Sequence, residues 1–181
     1  MKIKLLILLS VLSLNTVTAQ DTTAPLKIVI IRHGEKPLNG DNLNCQGLNR
    51  AALIPAMIIS KFGVPVYSYV PSLTADSATK HARMFQTITP LAVRYNLIIN
   101  SKYAGKDAEG LVKSMLQKKG LVLVVWDHKS IVPIIHALGI ADPSLKWEDN
   151  DFDSIWIVEF EKGMAVLKKD REDLQPAADC K

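Results

Sequence analysis

Two short runs constrain the fold of this chain more than any other feature. Residues 26–31 (Leu-Lys-Ile-Val-Ile-Ile) and 121–126 (Leu-Val-Leu-Val-Val-Trp) are almost unbroken in apolar, mostly β-branched side chains. A strand with one wet face alternates polar and apolar residues, whereas an uninterrupted run of this length marks a strand covered on both faces, as in a parallel sheet sandwiched between helices. Each run stops abruptly at a charged residue followed by a histidine: Arg32-His33 after the first and Asp127-His128 after the second.

The rest of the chain fits that frame. Leu48, Ala51, Ala52, Ile54, Met57 and Ile58 follow helical spacing and predict a crossover helix over 46–62, ended by Gly63. Residues 66–70 predict a short strand and 71–76 a loop, with Ser77 or Thr79 capping a helix that runs to about residue 95. A third strand over 97–100 and an amphipathic helix over 107–118, stopped by Gly120, precede the second buried run. After it comes a short helix over 130–138, with Pro133 in its first turn. Residues 154–160 and 164–168, flanking Glu161-Lys162-Gly163, predict an antiparallel hairpin at the sheet edge. There are no internal repeats. The expected fold class is therefore α/β: a three-layer α/β/α sandwich with a mostly parallel central sheet and an antiparallel C-terminal hairpin, in a single domain over 20–181.

Residues 1–19 stand apart from that domain. Lys2 and Lys4 precede an apolar stretch over 5–14, and Val17 and Ala19 occupy small-residue positions before a cut, the pattern of a signal peptide. The stretch is shorter than the roughly 20 apolar residues that span a bilayer, so no stable membrane anchor is expected after cleavage. The expected location is therefore periplasmic or secreted. Losing the two lysines lowers the formal charge from +4 to +2. That mild balance, with no Lys/Arg run interleaved with aromatics, argues against nucleic acid and suits a small anionic substrate. The two cysteines, Cys45 and Cys180, in a chain bound for an oxidising compartment, predict a structural bridge between the first loop and the tail. No Cys/His spacing resembles a zinc site, and neither a metal nor a cofactor is expected.

Ligands of open α/β sheets bind beyond the carboxyl ends of the parallel strands. His33 and His128 both occupy that edge although they lie 95 residues apart. Arg83, near the start of the helix after the second strand, reaches the same region. Fixed cationic donors around an in-line nucleophile are what a phosphoryl group in transfer requires, because its charge spreads over three equatorial oxygens.

The run Arg32-His33-Gly34-Glu35, then Arg83 with Gln86 and Thr87, then His128 after a Val/Leu strand resembles the histidine phosphatase superfamily, also called phosphoglycerate-mutase-like. The resemblance covers most of residues 20–181, and its first motif is the most specific part. It implies a covalent phosphohistidine on His33, a phosphate pocket formed by Arg32, Arg83 and His128, and metal-independent hydrolysis of a small phosphorylated substrate. The acid that protonates the leaving alcohol stays open among Glu35, Asp127, Asp107 and Glu109. Lys36-Pro37-Leu38-Asn39 replaces the usual continuation of the first motif in the mutases, and 162 residues leave little room for their lid elements, so mutase activity is disfavoured. Ser72-Leu73 lies further ahead of Arg83 than the family pattern has it, and Lys129-Ser130 stands where glycines usually follow the second histidine.

His136 is expected to pack within its helix and His81 to sit exposed on one. Trp126, Trp147 and Trp156 read as core and edge packing. Beside the hydrolase, two readings remain: a catalytically silent phosphate- or phosphosugar-binding protein, and a phosphomutase. The sequence does not address oligomeric state.

Overall fold

The computed structural model describes residues 20, 22–75 and 79–180. The expected signal peptide, at 1–19, lies outside them. Both apolar runs are strands, and both are shut off from solvent as their composition demands. In β1 (Lys27–Arg32) every residue after Lys27 is buried, and in β6 (Leu121–Trp126) all six are. The two pair in parallel, with Arg32 level with Trp126.

The six-stranded sheet runs β5-β2-β6-β1-β7-β8. Strands β2 (Tyr67–Tyr69) and β5 (Ile99–Asn100) extend its parallel part beyond β6. The hairpin β7 (Ser154–Glu161) and β8 (Met164–Arg171) adds antiparallel to the other side of β1 and ends the sheet. Side chains that alternate along β1 and β6 divide two cores. Val29, Ile31, Leu123 and Val125 pack under α1 (Cys45–Phe62) and α2 (Ala82–Tyr95). Ile28, Ile30, Val122, Val124 and Trp126 pack under α3 (Ala108–Met115) and α4 (His128–Ala137). This is the three-layer sandwich expected, and its strand ends place His33 and His128 at one edge.

Three local expectations are corrected. Thr79 does not cap α2, because its backbone pairs with Ala75 in a two-stranded ladder, β3 (Thr74–Ala75) with β4 (Thr79–Lys80), where the sequence predicts a loop over 71–76 and then the helix; Ser77 lies outside the described residues. The helix starts only at Ala82, after His81 in left-handed conformation (φ 63°). Helix α4 starts two residues early, because Asp127 Oδ1 accepts from the Lys129 amide, so Pro133 falls in its interior; the residue is exposed, where water can take the helical carbonyl that proline leaves unpaired. His136 is exposed rather than packed, its Nε2 3.3 Å from the Asp142 carbonyl oxygen.

The three tryptophans do pack in core or edge. Trp126 donates to the Gly105 carbonyl, and Trp147 lies against Trp156 with ring centroids 5.0 Å apart. Cys45 and Cys180 are bridged, which ties the tail to the first turn of α1. Among the described residues, no helix is long and apolar enough to cross a membrane.

Candidate active site

His33 follows β1, and its amide donates to the Trp126 carbonyl (3.2 Å), so the parallel ladder extends just far enough to fix it beside the end of β6. The imidazole is 1% exposed. Its Nδ1 lies 2.7 Å from the Gly34 carbonyl oxygen. A carbonyl can only accept, so Nδ1 carries the hydrogen and Nε2 is left with a free lone pair. Burial pushes the imidazole pKa down to about 4, and the Arg32 and Arg83 guanidiniums act the same way. The ring is neutral at ordinary pH.

The Gly34 amide donates to Thr87 Oγ1 (3.0 Å), which in turn donates to the Arg83 carbonyl (2.7 Å), so α2 holds the loop after His33. One position further back, Gln86 accepts from the Leu43 amide and donates to Asn42. These contacts explain why Gln86 and Thr87 accompany Arg83. On the other side Gly34 meets α1 so closely that a side-chain carbon on it would lie 2.8 Å from the Gly47 carbonyl oxygen, which no larger residue tolerates.

Arg32 is 2% exposed. Its Nη1 donates to the carbonyls of Asp149 (2.6 Å) and Asp151 (3.1 Å), and its guanidinium stacks on the Phe152 ring at 3.8 Å. Its Nε is buried with no partner, as is His128 Nδ1. His128 Nε2 is 2.9 Å from Asp149 Oδ1, and its pKa is lowered by burial and by Arg32 against the pull of Asp149 and Asp127. Arg83, half-buried, lies near enough for its charge to act on both Arg32 and His33. Four residues expected at the site, Arg32, His33, Arg83 and His128, are thus brought together.

The open set of acids separates by position. Asp127 stands with one carboxylate oxygen 3.8 Å from His33 Nε2 and the other 3.7 Å from His128 Nδ1. Glu35 is turned into a different cluster: it grips Arg50, which also donates to Glu172 at 2.6 Å. Asp107 caps α3 through the Gly110 amide, and with Glu109 lines a surface depression that includes none of Arg32, His33, Arg83 and His128. The sequence counts Glu35 among the catalytic residues and leaves the other three as candidate acids; the structure turns Glu35 away to Arg50, and of the four only Asp127 adjoins the histidines.

Sequence reading missed the segment 148–153 and Arg50. The run Glu-Asp-Asn-Asp-Phe-Asp was its one signal for the first, since acids in such density seek cations. For Arg50 the signal was a guanidinium on the apolar stripe of α1 between Gly47 and Ile54, which demands buried carboxylates. His81, expected exposed, is half-buried and hydrogen-bonded through Nδ1 to the Ser72 carbonyl oxygen.

Donor atoms of His33, Asp127 and His128 lie within 4.8 Å of one another and are the group among the described residues that has the spacing to hold a metal ion. Arg32 and Arg83 beside them oppose a second cation and favour an anion, as does an orphaned guanidinium nitrogen, which can only donate.

No protein-family model matches the sequence, and no curated protein matches it. Solved structures do match the fold. A phosphoserine phosphatase from Entamoeba histolytica, in complex with 3-phosphoglyceric acid, aligns over 82% of this chain and 98% of its own, with TM-score 0.58 and 14% identity. The protein histidine phosphatase SixA complexed with tungstate aligns over 81% and 97%, with TM-score 0.58 and 18% identity. A putative alpha-ribazole-5'-P phosphatase from Escherichia coli aligns over 80% and 96%, with TM-score 0.54 and 13% identity. The chain therefore has the phosphoglycerate-mutase-like α/β fold that these structures share.

Proposed function

We propose that this chain is a phosphomonoester hydrolase working through a phosphohistidine on His33. The observation that carries this reading is the state of the His33 ring: Nδ1 spent on Gly34, Nε2 unprotonated, and the ring neutral far into the acid range. Supporting it are two buried nitrogens without partners: Arg32 Nε, which can only donate, and His128 Nδ1, which donates once the ring is protonated, as a phosphoryl dianion favours.

In the first step the Nε2 lone pair forms a bond to phosphorus as the phosphorus–oxygen bond to the alcohol breaks. Arg32, Arg83 and His128 stabilise the charge on the equatorial oxygens. A proton carried by Asp127 goes to the leaving oxygen. In the second step water attacks the phosphohistidine, Asp127 takes its proton, and inorganic phosphate leaves with His33 restored. No step calls on a metal.

The substrate class we infer is a small phosphorylated molecule, in keeping with the phosphoserine phosphatase among the structures that share the fold. The Cys45–Cys180 bridge supports work in an oxidising, extracytoplasmic compartment, with residues 1–19 as the export signal. The test is turnover of p-nitrophenyl phosphate in excess chelator, with acid-labile phosphate trapped and mapped by mass spectrometry. The reading requires turnover, label on His33, and loss of both in His33→Ala. Binding without label points to a silent binding protein, and phosphate passed to an acceptor instead of water to a mutase.

A further inference from the structure

Asp149 is held at both of its functional ends by residues of the site. Its main-chain carbonyl accepts from Arg32 Nη1 at 2.6 Å, and its carboxylate accepts from His128 Nε2 at 2.9 Å. Its side chain is otherwise 83% exposed, so no packing accounts for its position. His128 is 7% exposed; with Nε2 spent on Asp149, its other nitrogen is the one left buried and unpartnered on the side of Asp127 and His33.

Resting on the hydrolase reading above, we propose that Asp149 is a positioning residue. By accepting from Nε2 it orients the His128 ring so that Nδ1 donates to the phosphoryl group on its way to His33. A ring free to flip would offer either nitrogen to either side. Anchored by Asp149, it offers one.

The chemistry makes a further demand. With Nε2–H given to Asp149, Nδ1 donates only if it too is protonated, so the working form of His128 is the imidazolium. The groups that face it are Asp149 from the segment before β7, Asp127 from the start of its own helix, and Arg32 and His33 from the end of β1. The two carboxylates favour the charged ring, Arg32 and burial oppose it, and an arriving phosphate dianion adds to the favourable side. Loss of the Asp149 charge therefore narrows the pH range over which His128 can donate.

The experiment compares wild type, Asp149→Asn, Asp149→Ala, His128→Ala and the His128→Ala/Asp149→Ala double variant. It measures kcat/KM for p-nitrophenyl phosphate against pH and the inhibition constant of inorganic phosphate. Asp149→Ala is expected to lower kcat/KM and weaken phosphate by about 10- to 100-fold, the usual effect of removing the partner that orients a histidine. Asp149→Asn keeps an acceptor and loses less, with the alkaline limb of kcat/KM displaced to lower pH. The double variant is no worse than His128→Ala, since the two act as one unit. A wild-type profile in both Asp149 variants, or losses that add in the double variant, overturns the role while leaving the hydrolase reading intact. Absence of any His33 phosphoenzyme in wild type overturns the hydrolase reading itself.

Discussion

His33 and Asp127 face each other with 3.8 Å between Nε2 and a carboxylate oxygen, although they are 94 positions apart in the chain. The parallel register of β1 and β6 makes the meeting: Arg32 pairs with Trp126, so the next residue of each strand emerges at the same level. A leaving oxygen in line with Nε2 then has Asp127 beside it.

Asp127→Asn should discriminate between leaving groups. Asn caps a helix about as well as Asp, so α4 survives. Hydrolysis of an alkyl phosphate should fall by about 10²-fold or more, the usual contribution of a general acid, whereas p-nitrophenyl phosphate, whose phenolate leaves unaided, should fall much less. Equal losses on both would remove Asp127 from the acid role.

The depressed pKa of His33 has a consequence for activity and another for stability. Phosphoenzyme formation should persist at pH 5, where an ordinary histidine is protonated, and decline only toward about pH 4. Unfolded His33 binds a proton near 6.5, the ordinary imidazole value, and folded His33 only near 4, so the unfolded state gains protons first as pH falls. The stability at stake is complete above pH 6.5 and lost by pH 4, on the order of 3 kcal/mol. Urea unfolding of wild type and His33→Asn between pH 7 and 4 should show the smaller acid loss in the variant.

Arg50 holds Glu35 and Glu172 together in one buried ion-pair cluster. Arg50→Ala should cost about 3–5 kcal/mol in denaturant unfolding, because it strands two buried carboxylates. Burial pushes the Glu172 pKa up to about 7, overriding the pull of Arg50. A raised carboxyl contributes stability that is complete below pH 4.5 and lost as pH rises through 7, so Glu172→Gln should flatten the fall in stability between those values.

Reduction of Cys45–Cys180 opens a loop of sequence separation 135. The chain-entropy model puts the loss at about 4–5 kcal/mol, so the denaturant midpoint should drop with reductant and in Cys45→Ala/Cys180→Ala alike. An unchanged midpoint would show that Glu172, Leu174 and the Asn49 bonds to the Ala177 and Asp179 carbonyls already hold the tail.

Much of the site was legible because a buried parallel strand has an unmistakable composition and its carboxyl end has a known place. From two such strands, the co-location of Arg32, His33, Asp127 and His128 follows from the sequence. Glu35 shows where that reasoning stops. It lies two residues from His33, yet its carboxylate belongs to Arg50, and nothing in a linear string says which way a side chain turns once its strand has ended. Asp149 shows the same limit from the other side: it is 21 residues past His128 in a loop with no periodicity, and only the packing of β7 against β1 brings it to that ring.

By itself, then, the sequence determined the layers, the parallel core and which histidines share an edge, because hydrophobic periodicity and strand polarity are local properties with global consequences. Tertiary structure alone decided the partners: Gly34 for the His33 ring, Asp149 for His128, Arg50 for Glu35, and Asp127, of the four candidate acids, for the space beside the two histidines. Hydrogen bonds and ion pairs act over a few ångströms, and which charged groups come that close is set by the packing of whole elements.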